Sequence, residues 1–173
     1  MLRNLRRVAL DVRPVRRAEH DVLGALTVAA YRALDSDWDL GRYADELADV
    51  AARAAVAEVL VAVEDGELVG GVTFVPGAGN PYADGLREGE AGIRMLAVAP
   101  AAQGRGAGRA LTVACIERAH AMGATGIALH SAPWMTRAHH VYGSLGFVRA
   151  PERDVTYPDL VILSFVLRLE APR

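Results

Sequence analysis

Lysine is missing from the sequence altogether: all 19 cationic side chains among its 173 residues are arginine. Without an ε-amine the chain cannot carry a P-loop lysine, a Schiff-base lysine for pyridoxal phosphate or a Ser–Lys catalytic pair. Cysteine is nearly missing too. The lone Cys115 excludes an internal disulfide and a cysteine-rich zinc site, and reads as a small buried apolar residue. Charge of one sign is also lacking, since 21 carboxylates bring the formal total to −2. General nucleic-acid binding therefore has no bulk electrostatic support. No apolar run approaches the ~20 residues of a membrane span. The basic start, Met1-Leu2-Arg3-Asn4-Leu5-Arg6-Arg7, is followed by Asp11, Arg13 and Arg16-Arg17 rather than by an apolar core and a cleavage site. The expectation is a cytoplasmic protein with no nucleic-acid and no membrane partner. Monomer and homodimer are both open.

What the chain has in quantity is apolar side chain, 52% of its residues against 23% charged, enough for a real core. With no linker between two cores, a single domain over residues 1–173 is expected. Residues 8–15 read as a strand, with Pro14 suited to its end. Val22, Leu26, Ala29, Ala30 and Ala33 recur at helical spacing over residues 18–34. A second helix is predicted from about residue 41 to 57. Residues 59–63 and 68–75 flank Asp65-Gly66 and read as a β-hairpin. Residues 76–90, rich in Gly, Pro and Asn, read as a long loop. A strand at 93–98, a helix at 105–122 and a strand at 125–129 follow. Ser131 then suits the cap of a helix running to Leu145, and strands at 147–148 and 160–169 close the chain. The order is that of a mixed α/β domain, with a partly antiparallel central sheet flanked by helices.

The most informative segment is Met95-Leu96-Ala97-Val98-Ala99-Pro100-Ala101-Ala102-Gln103-Gly104-Arg105-Gly106-Ala107-Gly108-Arg109. A strand, a turn with three alternate glycines and the start of a helix follow one another directly. Such a turn lets a ligand approach the backbone, and the helix start adds unpaired N–H groups and a positive dipole end. Arg105 and Arg109 add charge, so the expected ligand is a phosphate or pyrophosphate. A glycine-rich turn without a ligand is the plain alternative. A dinucleotide fingerprint fails, because the position that needs its last glycine holds Arg109 or Leu111.

The pattern Gln103-x-x-Gly106-x-Gly108, after a strand ending Leu96-Ala97-Val98-x-Pro100, resembles the acyl-CoA-binding motif of the GNAT superfamily of N-acyltransferases. About thirty residues on, Met135-x-x-Ala138-x-x-x-Tyr142-x-x-Leu145-Gly146-Phe147 resembles that family's second motif. Together they cover about residues 90–147. The resemblance implies a GNAT-like fold and an acetyl-CoA-dependent transfer to an amine acceptor, with no metal. It implies that the backbone of Leu96 and Val98 pairs with the pantetheine arm and that an N–H near Leu96 or Ala97 faces the thioester carbonyl. The amides of Gly104, Arg105, Gly106, Ala107, Gly108 and Arg109 would hold the pyrophosphate.

Tyr142 is, by this resemblance, the general acid for the leaving thiolate. An alkyl amine with a pKa near ~10.4 costs roughly 4–5 kcal/mol to deprotonate at neutral pH, so a proton acceptor is needed. Many relatives carry a glutamate where this chain has Gly92. Glu90, on the same strand face if the alternation holds, is the candidate base acting through water, with a solvated carboxylate as the plain reading. His130 is an alternative base or a structural histidine, and His139 and His140 read as surface or packing residues. Trp38, Tyr43 and Tyr82 can line an acceptor pocket or pack as core and lid, with Trp38 and Tyr82 the candidate substrate contacts. The missing glutamate also leaves a non-catalytic acyl-CoA-binding module as the competing reading.

Overall fold

A computed structural model describes residues 10–34 and 39–170. The sheet strands are β1 (Leu10–Pro14), β2 (Glu58–Glu64), β3 (Glu67–Val75), β4 (Glu90–Val98), β5 (Gly126–Ser131), β6 (Val148–Arg149), β7 (Val155–Tyr157) and β8 (Leu160–Arg168). The helices are α1 (His20–Arg32), α2 (Tyr43–Ala48), α3 (Val50–Val56), α4 (Ala107–Ala121) and α5 (Thr136–Ser144). The sheet runs β1-β2-β3-β4-β5-β8-β6, with β7 paired to β8 off that path. Its β4–β5 pairing is parallel and every other one is antiparallel. The α4 crossover makes the parallel pair reachable, since parallel neighbours need a long connection. The mixed, partly antiparallel sheet flanked by helices is the architecture expected from the sequence.

Two apolar layers enclose the sheet. Leu111, Cys115 and Ala119 of α4 pack with Leu60, Phe74, Ala91, Ile93 and Tyr142 on one face. Tyr31 of α1 and Leu47 of α2 pack with Met95 and Ala97 on the other. The hairpin expected at Asp65-Gly66 is present, with φ of 50° and 84° at the two positions, as its turn type demands.

The expected second helix is two helices. Asp49 leaves helical geometry (ψ 72°), and its carboxylate accepts from the Ala52 N–H to cap α3. A side chain that competes for backbone donors this way starts a new helix more readily than it continues one. Ser131 ends β5 instead of capping α5, which begins at Thr136 after Pro133. Three-residue β7 was not foreseen; it pairs with β8 as a short hairpin.

Candidate active site

The site grows from an irregularity in β4. Thr73 opposes Arg94 and Gly71 opposes Ala97, so Val72 alone on β3 is matched by two residues of β4, Met95 and Leu96. The extra residue is a β-bulge centred on Met95, whose φ of 50° is rare for a non-glycine residue. The bulge resets the alternation: Ala91, Ile93, Leu96 and Val98 face α4, while Met95 and Ala97 face α1 and α2. Beyond the bulge β4 also loses β5, because their last paired residues are Ile93 and Leu129. From Arg94 to Val98 one edge of the strand thus lacks a neighbouring strand among the described residues. Leu96, Ala97 and Val98 lie on this open edge.

The glycine turn follows directly. Pro100–Ala102 form a 3-10 turn, and Gly104 and Gly106 adopt φ of 79° and 94°, a left-handed backbone that favours glycine. Gly106 is the N-cap of α4, and its carbonyl accepts the first helical bond from Ala110 at 2.9 Å. The N–H groups of residues 104–109 have no acceptor among the described residues. They form, with the helix dipole, a concentration of donors suited to an anion. Gly108 leaves that helix start without a side chain.

The arginines are arranged differently from the sequence expectation. Arg105 is held by Glu64 at 2.6 Å and donates to the Ala101 carbonyl. Arg109 donates to the Ser144 hydroxyl at 2.9 Å, linking α4 to α5. Arg137, which sequence reasoning did not single out, donates to Gln103 Oε1 at 3.4 Å and joins the charges around the turn. Gln103 itself donates to the Val98 carbonyl at 3.4 Å, tying the turn back to the open edge.

Tyr142 is buried between Phe147 and Phe165, with ring centroids 5.8 and 6.0 Å away. Burial raises its hydroxyl pKa, and the neighbouring Cys115 adds to the rise. No described residue hydrogen-bonds that hydroxyl. Tyr31, from the opposite face, also has a raised pKa through burial, with Tyr43 and Tyr142 adding to the rise. Tyr31 is hydrogen-bonded to Tyr43. Cys115 is an inert neighbour, its thiol pushed up to about 12 by burial.

Glu90 is not brought to this place. It begins β4, where β4 and β5 are still paired, about 20 Å of strand from Leu96. Arg153 grips both its oxygens at 2.9 and 2.7 Å, and the Arg87 N–H donates a third bond at 2.9 Å. Burial raises its pKa, but the Arg153 and Arg87 bonds outweigh that and leave it below the usual carboxylate range. Such a carboxylate is a poor base, and its position gives it no reach to the open edge. His130 is closer. Burial, with Arg94 and Arg153 nearby, pushes it down to about 4 against the pull of Asp84 and Asp154. His139 bonds Ser131 at 3.0 Å and stacks on Phe165, while His140 bonds its own helix at Thr136. No cluster of three or more potential metal ligands occurs among the described residues.

Tyr82 is half-buried in the loop before β4, within electrostatic reach of Arg53. Trp38 lies outside the described residues. Tyr31, Arg53, Thr73 and Arg94 were absent from the sequence-level candidates. A tyrosine or arginine on a helix or strand gives no local sign that its tip faces a gap formed by distant segments.

The model of the acetyltransferase (GNAT) family matches residues 24–147, well over half of the chain. The protein belongs to that family. Its fold is similar to a GNAT acetyltransferase from Staphylococcus aureus Mu50, at TM-score 0.73 and 15% identity, covering 94% of this chain and 100% of that one. A GCN5-related N-acetyltransferase from Kribbella flavida is similar at TM-score 0.66 and 25% identity, over 93% and 98% of the two chains. A GNAT acetyltransferase from Brucella melitensis, solved in complex with acetyl-CoA, is similar at TM-score 0.64 and 22% identity, over 95% and 91%. No protein with a curated description matches the sequence. Within this GNAT protein no helix among the described residues is long and apolar enough to cross a membrane.

Proposed function

We propose that this GNAT protein is a cytoplasmic acetyl-CoA-dependent N-acetyltransferase, in which an amine attacks the thioester directly. The observation that carries the reading is the continuity of an unpaired β4 edge, a donor-rich glycine turn and a buried Tyr142 hydroxyl without a partner. The three features fit the pantetheine arm, the pyrophosphate at one end of it and the sulfur at the other, respectively. The brucellar relative's complex with acetyl-CoA supports the assignment of the donor.

Acetyl-CoA supplies an activated acetyl group, and the chain supplies position and protons. The backbone of Leu96 and Val98 holds the arm as a further strand would, because that edge still has groups to pair. An N–H near Leu96 or Ala97, turned by the bulge, faces the carbonyl oxygen as negative charge develops there. The residues 104–109, with Arg109 and Arg137 beside them, hold the pyrophosphate. Tyr142, kept protonated by burial, gives its proton to the sulfur as the C–S bond breaks and the C–N bond forms. The amine's proton passes to water, since no free carboxylate among the described residues stands on the β4 edge. The open acceptor side is framed by Tyr31, Tyr43 and Met95.

The test is release of free CoA thiol by the purified chain with acetyl-CoA and a panel of amino acids, amines, peptides and aminoglycosides. Amine-dependent release supports the reading. Tight acetyl-CoA binding with no release on any acceptor assigns the protein to the non-catalytic binding class instead.

A further inference from the structure

Five arginines among the described residues are held by a carboxylate: Arg13 by Glu19, Arg105 by Glu64, Arg118 by Glu58, Arg149 by Asp154 and Arg153 by Glu90. Two others, Arg53 buried and Arg94 half-buried, contact only neutral partners among the described residues. Arg53 is 1% exposed, and its Nη1 donates to the Glu46 and Leu47 carbonyls at 2.5 and 3.0 Å. Arg94 donates from Nη1 to the Ile93 carbonyl at 2.9 Å and the Ala128 carbonyl at 3.4 Å. Its Nη2 donates to the Asp84 carbonyl at 2.6 Å. Neither guanidinium has a carboxylate within 4.0 Å among the described residues.

Two buried donors without a hydrogen-bond partner among the described residues lie on the same side of the sheet. One is Arg53 Nε, on α3, and the other is the hydroxyl of Thr73, 1% exposed. Thr73 is the cross-strand partner of Arg94, so both side chains leave the same face. Both Arg53 and Arg94 pull on the Tyr43 hydroxyl, which is bonded to Tyr31 beside the open edge. Capping the end of α2 accounts for one arm of Arg53, but not for its bare Nε or for its charge. Buried charge is costly unless something of opposite sign meets it. Among the described residues the nearest carboxylate influences, Asp84 on Arg94 and Asp49 on Arg53, stand beyond ion-pair distance, so the direct contacts on this side of the open edge are donors and cations that a ligand's anion can meet.

We propose that Arg94, Arg53 and Thr73 form an oxyanion subsite for the acceptor, so that the amine acetylated here also carries a carboxylate or an equivalent oxyanion group, as a free amino acid does. The proposal rests on the acetyltransferase reading and adds the substrate class. The guanidinium fork of Arg94 matches the two oxygens of a carboxylate, and the Thr73 hydroxyl supplies a further donor. With one charge neutralised by the ligand, the other favours the neutral, attacking form of the amine. Polycationic acceptors are disfavoured by the same charges.

The experiment uses the full chain with acetyl-CoA and matched acceptors: methionine and glutamate, their amides, their decarboxylated amines, aminophosphonate counterparts, and spermidine. Acetyl-CoA binding is followed separately by thermal shift. The expected kcat/KM favours the carboxylate-bearing member of a pair by tenfold or more, and the phosphonates report whether another oxyanion substitutes. Arg94→Gln reduces that preference by about 10- to 100-fold, chiefly through KM. Thr73→Val, which removes only a buried hydroxyl, reduces it several-fold and keeps the test available if Arg94→Gln does not fold. Amides, decarboxylated amines or spermidine acetylated as well as the amino acids would overturn the subsite and leave the acetyltransferase reading intact. Acetyl-CoA binding without transfer to any acceptor would overturn both.

Discussion

The two ends of β4 treat a buried arginine in opposite ways. At the closed end, where β4 and β5 are paired, Arg153 meets Glu90 through two bonds and adds a third to the Gly85 carbonyl. At the open end Arg94 meets only carbonyls, and the bare Thr73 hydroxyl lies across from it. Arg153 is largely and Arg94 partly withdrawn from water, which is costly in either place. The closed end answers that cost inside the chain and becomes structure. The open end leaves it unanswered and keeps a place for something else. A charged residue in a fold is therefore read for function by what fails to meet it, more than by its type.

The largest expected effect breaks the closed end. Arg153→Met strands the Glu90 carboxylate and is expected to cost about 3–5 kcal/mol of stability, read from the denaturant midpoint. The double variant with Glu90→Leu is expected to recover most of that loss, since two apolar groups replace a satisfied pair. Next comes Tyr142→Phe at the open end. It is expected to lower turnover about a hundredfold with acetyl-CoA affinity nearly unchanged, measured by thiol release and by titration. A comparable fall in stability instead of rate would place Tyr142 with the structural groups.

His130, between the two ends, sharpens the comparison through pH. Its folded pKa of about 4 lies below the unfolded value near 6.5, so the unfolded chain binds more protons in that window. Its contribution to stability is complete above pH 6.5 and is lost progressively as pH falls toward 4. The loss between pH 7 and 5 is expected to be about 2 kcal/mol, and His130→Gln should remove that slope. The smallest effect belongs to Thr73→Val without ligand. Removing a buried hydroxyl that bonds nothing is expected to leave stability within about 1 kcal/mol of the parent or above it. A larger loss would mean that the hydroxyl has a structural partner.

Much of the fold was legible because its signals are local. The hairpin at Asp65-Gly66, the strand–turn–helix from Met95 to Arg109 and the α5 motif ending at Phe147 each announce themselves within 15 residues. The break at Asp49 was not legible, because a capping aspartate inside an alanine-rich helical pattern looks like any exposed polar residue. The bulge at Met95 was hidden as well, since its left-handed backbone is carried by methionine and not by glycine. The candidate site divided along the same line. The glycine turn and Tyr142 stand out through their resemblance to the family's two motifs, both of which are local in the chain. Glu90 reads as a base from its strand face beside Gly92, and nothing local shows that Arg153, 63 residues away, holds it. Arg53, Thr73 and Arg94 come together only when α3, β3 and β4 are stacked, so nothing in the order of residues marks them.

The central claim is that the open β4 edge and the glycine turn together receive acetyl-CoA. Amide hydrogen exchange with and without acetyl-CoA tests it directly. The account expects slowed exchange concentrated at residues 96–98 and 104–109, with the closed end around Glu90 unchanged. Saturating acetyl-CoA that leaves those two segments unprotected, or protects a different face of the sheet, would contradict it.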